Sequence, residues 1–193
     1  MTSETEGIPP GGTELTALAR DGSLAGSWLL DPAASTAEFR VRHFWNAITV
    51  RGSFGQLEGE ATVGPDGTVT GRLVIDAASL NTKNKQRDKH LRSADFFDVA
   101  KHQHLVLTVR QAALSGSNQL AGEATLAVAG TEEPVSLTAQ ITQASPDAVT
   151  LQAELTVDRS RFGMTWSPAR IAAMQATGSV TARFTRAAPE HQE

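Results

Sequence analysis

The side chains able to move a proton near neutral pH or to ligate a metal are few: five histidines, no cysteine and no tyrosine. His102 and His104 stand at i, i+2, so on a strand both rings point one way, as a metal site would need. No third ligand accompanies them and His43 lies on a distant segment, so they read as surface histidines. His43 is followed by Phe44 and Trp45 and continues an apolar face, which favours a core or rim histidine over a general base. Asp158 with Arg159, and Asp76 with Arg72, read as ordinary ion pairs. The absence of cysteine excludes disulfides, thiolate nucleophiles, Cys-ligated zinc and iron–sulfur clusters. No GxSxG, Walker A, dinucleotide or HExxH signature occurs. The sequence therefore offers no catalytic residue, no metal site and no cofactor motif.

Local charge is a different matter. Seventeen basic against twenty-one acidic residues give a net charge of −4, which argues against a nucleic-acid partner. Within that acidic background, Lys83-Asn84-Lys85-Gln86-Arg87-Asp88-Lys89-His90-Leu91-Arg92 holds five basic residues and one acid. Beside a cavity mouth such a run would favour an anionic headgroup, with Arg suited to bidentate contact. The alternative is a solvated helix face with an Asp88–Arg92 pair at i, i+4. From this helix only Leu91 clearly faces inward.

The elements that would carry these residues alternate with period two, segment after segment. Phe39, Val41 and His43 share one face, opposite Glu38, Arg40 and Arg42. Leu57 to Val63 and Val69 to Asp76 flank a Pro65-Asp66-Gly67 turn and read as a hairpin. The pattern resumes at Leu105, Leu107 and Val109, at Leu120 to Val128, at Val135 to Ile141, at Val149 to Val157, and at Val180 to Phe184. Eight or nine strands without repeated βα units predict an all-β antiparallel barrel or sandwich. One stretch, Asn81 to Asp98, breaks the alternation and reads as a short helix from about Lys83 to Arg92 followed by Asp95-Phe96-Phe97-Asp98.

Residues 1–26 are polar and rich in Gly and Pro, and are expected to be a mostly flexible tail, within which Thr13 could cap a short helix carrying Leu15 and Leu18. Residues 27–186 form the predicted domain, and residues 187–193 a second tail. The N-terminus lacks the basic region and apolar stretch of an export signal, and no segment nears the roughly eighteen apolar residues of a membrane span. A cytoplasmic location without stable membrane insertion is the expectation.

The predicted inward faces carry unusually small residues: Gly59, Ala61, Gly71, Gly122, Ala124, Ala139, Ala153 and Ala182. A solid core needs bulk at such places. Either they leave an apolar cavity, in a barrel of the size that holds one small ligand, or they mark bulges, corners and close sheet packing. An apolar cavity binds hydrocarbon: at about 0.8 kcal/mol per buried CH₂, eight carbons supply roughly 6 kcal/mol before ordering and association costs.

From about Ser27 to Arg186 the chain resembles the YceI-like family. The match opens at Trp28, Asp31, Ser35, Phe39, Val41 and His43 and continues through Val50, Gly52 and Phe54. More specific is Ser79-Leu80, Thr82, Asn84, Arg87-Asp88, His90-Leu91, Ser93 and Asp95-Phe96-Phe97-Asp98, similar to the family's signature insertion. Gly130, Pro134 and Val135 fit a later hairpin, and Asp158-Arg159 with Phe162-Gly163-Met164 a penultimate loop.

The resemblance implies an eight-stranded lipocalin-like barrel with one short helical insertion, holding a polyisoprenoid or similar amphiphilic lipid, without catalysis. The bound group would be an isoprenoid lipid or an isoprenoid quinone. Phe39, Val41, Phe44, Trp45, Phe54, Leu73, Ile75, Leu91, Phe96, Phe97, Leu107, Leu126 and Trp166 would lie near the tail. Arg87, His43 and Arg161 are candidates for the headgroup. The partner is thus a hydrophobic or amphiphilic small molecule; a homodimer is left open. Two other readings stand beside it: an enzyme or isomerase acting on a small hydrophobic substrate with His43 as base, and a stress-response interaction module whose barrel is filled by its own side chains. Two departures from the family pattern are Lys101-His102-Gln103-His104, where relatives carry a proline and an aromatic, and Ser167 to Gly178, which could close one mouth.

Overall fold

Turn chemistry sets the first hairpin. Asp66 accepts hydrogen bonds from the Thr68 amide (3.0 Å) and hydroxyl (2.8 Å), and Gly67 takes φ +79°, a conformation that favours glycine. The turn joins strand β4 (Leu57–Val63) to β5 (Val69–Asp76) in unbroken register from Val63↔Val69 to Leu57↔Ile75. The computed structural model describes residues 15, 17–19, 21–43, 47–167 and 172–188.

Nine further strands complete the sheet: β1 (Gly26–Leu30), β2 (Thr36–His43), β3 (Ile48–Phe54), β6 (Leu80–Asn81), β7 (His104–Ser115), β8 (Gln119–Val128), β9 (Thr131–Ala144), β10 (Ala148–Asp158) and β11 (Ala172–Arg186). Neighbours run β1-β4-β5-β7-β8-β9-β10-β11, and β11 pairs back to β1, closing an eight-stranded antiparallel barrel. The remaining strands extend it at one end. β1 pairs with the last residues of β11 and β2 with its first two-thirds, so the two lie end to end along one long neighbour. Likewise β4 pairs with β1, and β3 with β2.

The breaks between them have a common cause. Asp31 accepts from the Ala33 amide and Asp76 from the Ala78 amide, each starting a single 3-10 turn that bends the chain out of the ladder. Asp76 is thus a cap and not the partner of Arg72. Asp158 does the same for Ser160, accepting from its amide and hydroxyl, which leaves Arg159 to other partners. Both expected ion pairs give way to caps.

The insertion between β6 and β7 contains helix α1 (Lys85–Leu91), with Asn84 accepting from the Arg87 amide as N-cap. The expected Asp88–Arg92 pair is replaced by bonds to the insertion's own frame. Asp88 is buried and accepts from the Thr82 amide and hydroxyl, while the Arg92 guanidinium donates to the Ala78 and Leu80 carbonyls. Beyond the helix, Phe97 packs edge-on against Phe54, with ring centroids 6.0 Å apart, and lies 6.5 Å from Phe39. The insertion therefore sits across the end of the barrel where β2 and β3 run on.

The opposite end is covered by the N-terminal segment. Residues 15 and 17–19 are helical, Leu15 has 0% exposure, and Leu15, Leu24, Trp28 and Ile141 form one buried cluster joined by Leu18 and Ala19. Leu15, Leu18, Ala19 and Leu24 fall in the stretch read from sequence as a mostly flexible tail with a possible short helix carrying Leu15 and Leu18; the helical residues 15 and 17–19 fit that helix, and apolar burial anchors them here. Thr13, the expected cap, lies outside the described residues, as do residues 189–193. No described helix is long and apolar enough to cross a membrane.

Candidate functional site

The inward positions of the ring enclose a cavity of about 360 Å³. Along β10 its wall is Leu151, Ala153, Leu155 and Val157; along β7 it is Leu105, Leu107 and Val109; along β9 it is Val135, Leu137 and Ala139. The wall is overwhelmingly apolar, and its apolar side chains alternate along β7, β9 and β10.

The small residues divide into two kinds. A Cβ on Gly122 would stand 2.1 Å from the Gln111 carbonyl, and one on Gly71 would stand 2.8 Å from the Glu60 carbonyl, so those glycines permit close strand approach beside bulges in β7 and β5. Gly59 is nearly as confined, at 3.1 Å from the Arg72 carbonyl. Ala124 is buried without lining the cavity. By contrast Ala61, Ala139, Ala153 and Ala182 face the bore, joined by Ala176 and Gly178. A Cβ on Gly178 meets nothing closer than 3.9 Å. Both explanations of the small residues hold, and at Gly71, which also lines the bore, they hold together.

One end of the bore is polar. From α1, Arg87, His90 and Leu91 all line it, the i, i+3, i+4 spacing of one helix face. Leu91 is therefore not alone in facing inward. The Arg87 guanidinium is held by the Thr82 hydroxyl (2.8 Å) and carbonyl (2.9 Å). His90 bonds to Asp95 at 3.0 Å, meets the Trp166 ring edge-on at 4.4 Å, and neighbours Phe96 at 5.2 Å. Trp166 is at once a wall of the cavity and 42% exposed, which locates the mouth.

Arg159 completes this end. It is buried, and its guanidinium donates to the carbonyls of Ala173 (3.0 Å), Met164 (2.6 Å) and Trp166 (3.0 Å), with no carboxylate in ion-pair contact among the described residues. Burial holds its pKa below the ordinary arginine value against the opposing pull of Asp158. His43 is half-buried in the same wall. Its own burial, then the positive charges of Arg159 and Arg87, hold its pKa below the usual imidazole value, so the ring is neutral at neutral pH. The mouth thus presents two guanidiniums and a neutral imidazole to an otherwise dry interior.

The structure brings most of the expected site together. Phe39, Val41, His43, Phe54, Leu73, Ile75, Arg87, Leu91, Phe96, Phe97, Leu107, Leu126 and Trp166 all line the cavity. Phe44 and Trp45 lie outside the described residues. Arg161 does not belong: it is exposed and pairs with Glu133 away from the bore, because the 3-10 turn begun at Asp158 directs Arg159 inward instead. Arg159 and His90 were missed as site residues. The signal for His90 was the helical spacing from Arg87; for Arg159 it was the Asp-x-Ser sequence, which commits Asp158 to a cap. Of Ser167 to Gly178, the stretch that could close a mouth, residues 172–178 form the first half of β11, with Ala172, Ala176 and Gly178 in the bore wall; residues 168–171 lie outside the described residues. Among the described residues no cluster of three or more His, Asp or Glu side chains is placed to hold a metal ion.

A closed eight-stranded antiparallel barrel around an apolar cavity, polar at one mouth, is a lipocalin-like binding barrel in architecture. Residues 28–185 match the model of the YceI-like domain, and the chain belongs to that family. A UPF0312 protein of Pectobacterium carotovorum is 30% identical over 164 residues, covering 79% of this chain and 84% of that protein. A UPF0312 protein of Vibrio cholerae is 28% identical over 117 residues, and the chain spans about three-fifths (61%) of its length, using 60% of its own. Among solved structures, Burkholderia cenocepacia BcnA superimposes with a TM-score of 0.72 at 18% identity, covering 80% of this chain and 98% of that one. A polyisoprenoid-binding domain from Saccharophagus degradans gives 0.67 at 16% identity, covering 83% and 98% respectively.

Proposed function

We propose that the barrel binds a long-chain isoprenoid or similar amphiphilic lipid, tail inward and head at the Arg87–His43 mouth, for carriage, storage or sequestration and without catalysis. The observation that carries this is the 360 Å³ bore with its apolar wall, a volume within the range of small-molecule sites. A barrel filled by its own side chains would leave no such space. The description of the Saccharophagus degradans neighbour as a polyisoprenoid-binding domain supports the same ligand class. Against hydrolytic or isomerase chemistry, His43 has no orienting carboxylate hydrogen-bonded to it among the described residues. The polar end suits a phosphate, a quinone carbonyl or another electron-rich head, since Arg87 and Arg159 bring positive charge uncompensated by a contacting carboxylate.

Native mass spectrometry of gently purified protein, followed by organic extraction, tests the reading. A co-purifying prenyl lipid or quinone is expected. No adduct, together with failure of the delipidated protein to take up a prenyl phosphate or an isoprenoid quinone, would overturn it.

A further inference from the structure

Beyond the far end of the bore, a segment that precedes the family-matched region packs over the barrel. Residues 15–25 lie ahead of residue 28, where that match begins, yet Leu15 is among the most completely buried side chains described. Behind it lies a second, smaller cavity of about 100 Å³, lined by Leu15, Ala19, Leu24 and Trp28 from the segment and its junction with β1. Ala61, Val69, Leu120, Leu151 and Phe184 line both cavities, so only side chains divide the main bore from this back chamber.

The segment is also fastened. Trp28 donates its indole N–H to the Leu24 carbonyl (3.0 Å), and the Arg186 guanidinium stacks 4.7 Å from the Trp28 ring. That guanidinium donates to the carbonyls of Ala25 (2.8 Å), Ser23 and Pro146 (2.9 Å), tying the segment to the β9–β10 turn and the end of β11. Arg186 lines neither cavity.

We propose that the described residues of this segment, 15, 17–19 and 21–25, are a stopper, seated by Leu15 and clamped by Arg186, that sets the longest tail the barrel accepts. The inference rests on the lipid-binding reading above and narrows it: the ligand is an amphiphile whose tail ends inside the protein. Along β10 the lined stretch from Val157 to Leu151 measures about 20 Å of strand, or about 15 Å of depth at a usual barrel tilt. A tail that outruns this depth must part Leu120, Leu151 and Phe184 to enter the back chamber, where Leu15 and Trp28 stop it, and its excess stays in water.

The test offers delipidated full-length protein an equimolar mixture of geraniol, farnesol, geranylgeraniol and solanesol, and reads the bound ratios by native mass spectrometry. The unaltered protein is expected to take the shorter prenols and exclude solanesol. Leu15→Lys unseats the stopper and should raise the solanesol-to-farnesol ratio at least about tenfold, since roughly two newly buried methylenes suffice for that factor. Arg186→Ala removes the clamp without altering a cavity wall and should shift the ratio the same way, which keeps the test decisive if Leu15→Lys does not fold. Equal uptake of solanesol and farnesol by the unaltered protein would overturn the stopper. So would an unchanged ratio in folded Arg186→Ala protein. Failure to bind any of these prenols, or a prenyl phosphate or quinone, would instead bring down the lipid-binding reading, and the stopper with it.

Discussion

At the scale of single residues, one amino-acid type serves opposite ends in this wall. Glycine at 122 exists because a methyl there would collide with the Gln111 carbonyl, whereas glycine at 178 borders open space. Gly178→Val should therefore fold with little loss of stability while projecting into the bore and displacing ligand, read as a fall in prenol uptake with nearly unchanged melting temperature. Gly122→Ala should do the reverse, costing about 1–3 kcal/mol by overpacking in a denaturant titration. If both variants lost binding and stability together, the division of small residues into spacers and lining would be wrong. Sequence could list the small inward residues but could not sort them: bulges in β5 and β7 decide which glycines face a neighbouring backbone, and a bulge has no period to detect.

Among the elements, the insertion is where charge was hardest to read. Its run of basic residues looked like a solvated face, and Lys83, Lys85 and Lys89 are indeed exposed, yet Arg87 and Arg92 turn inward to backbone carbonyls and Asp88 is buried beneath them. Burial alone would raise the Asp88 carboxyl, but the Thr82 hydroxyl and amide, with Arg92 and Arg87, together hold it below its ordinary value. A depressed carboxylate stabilises the fold fully above its unfolded pKa of about 3.9, and that contribution is lost as pH falls through the lower folded value. Asp88→Ala should thus cost about 1–3 kcal/mol at neutral pH, the penalty of leaving the Thr82 amide and hydroxyl unpaired. The gap between variant and unaltered protein should close as acid protonates Asp88, which paired denaturant titrations from neutral pH down to acid would follow. A pH-independent gap would assign its role to packing alone. Spacing placed the helix within two residues, because caps and breaks are local; which charges point inward depended on the carbonyls of β6 and the preceding turn, contacts that no window of sequence contains.

For the whole molecule, strand alternation predicted an antiparallel barrel or sandwich, the family resemblance implied the barrel, and the structure adds its bookends. Period two marked the faces of Leu105–Val109 and Val149–Val157 correctly, but in the Gly- and Pro-rich stretch that holds Leu15 and Leu24 the one helical signal, Leu15 and Leu18 at i, i+3, does not say what it packs against, and only the hollow they cover explains their burial. An unfilled bore forfeits dispersion contacts along its length. Occupying it should therefore stabilise the entire fold: farnesol at a hundredfold its Kd should add about 2.7 kcal/mol and raise the melting temperature by a few degrees. Calorimetry showing no shift while mass spectrometry shows stoichiometric adduct would mean the tail lies elsewhere. Closure of the ring has an implication for biogenesis. β11, the final strand, neighbours β10, β2 and β1, and its seam with β1 spans only the pairs Trp28↔Arg186, Leu29↔Thr185 and Leu30↔Phe184. Until it docks, a nascent polypeptide is a curled, greasy trough with two raw edges, open to chaperones and to aggregation, so the moment of shutting is also the moment at which both edges are hidden.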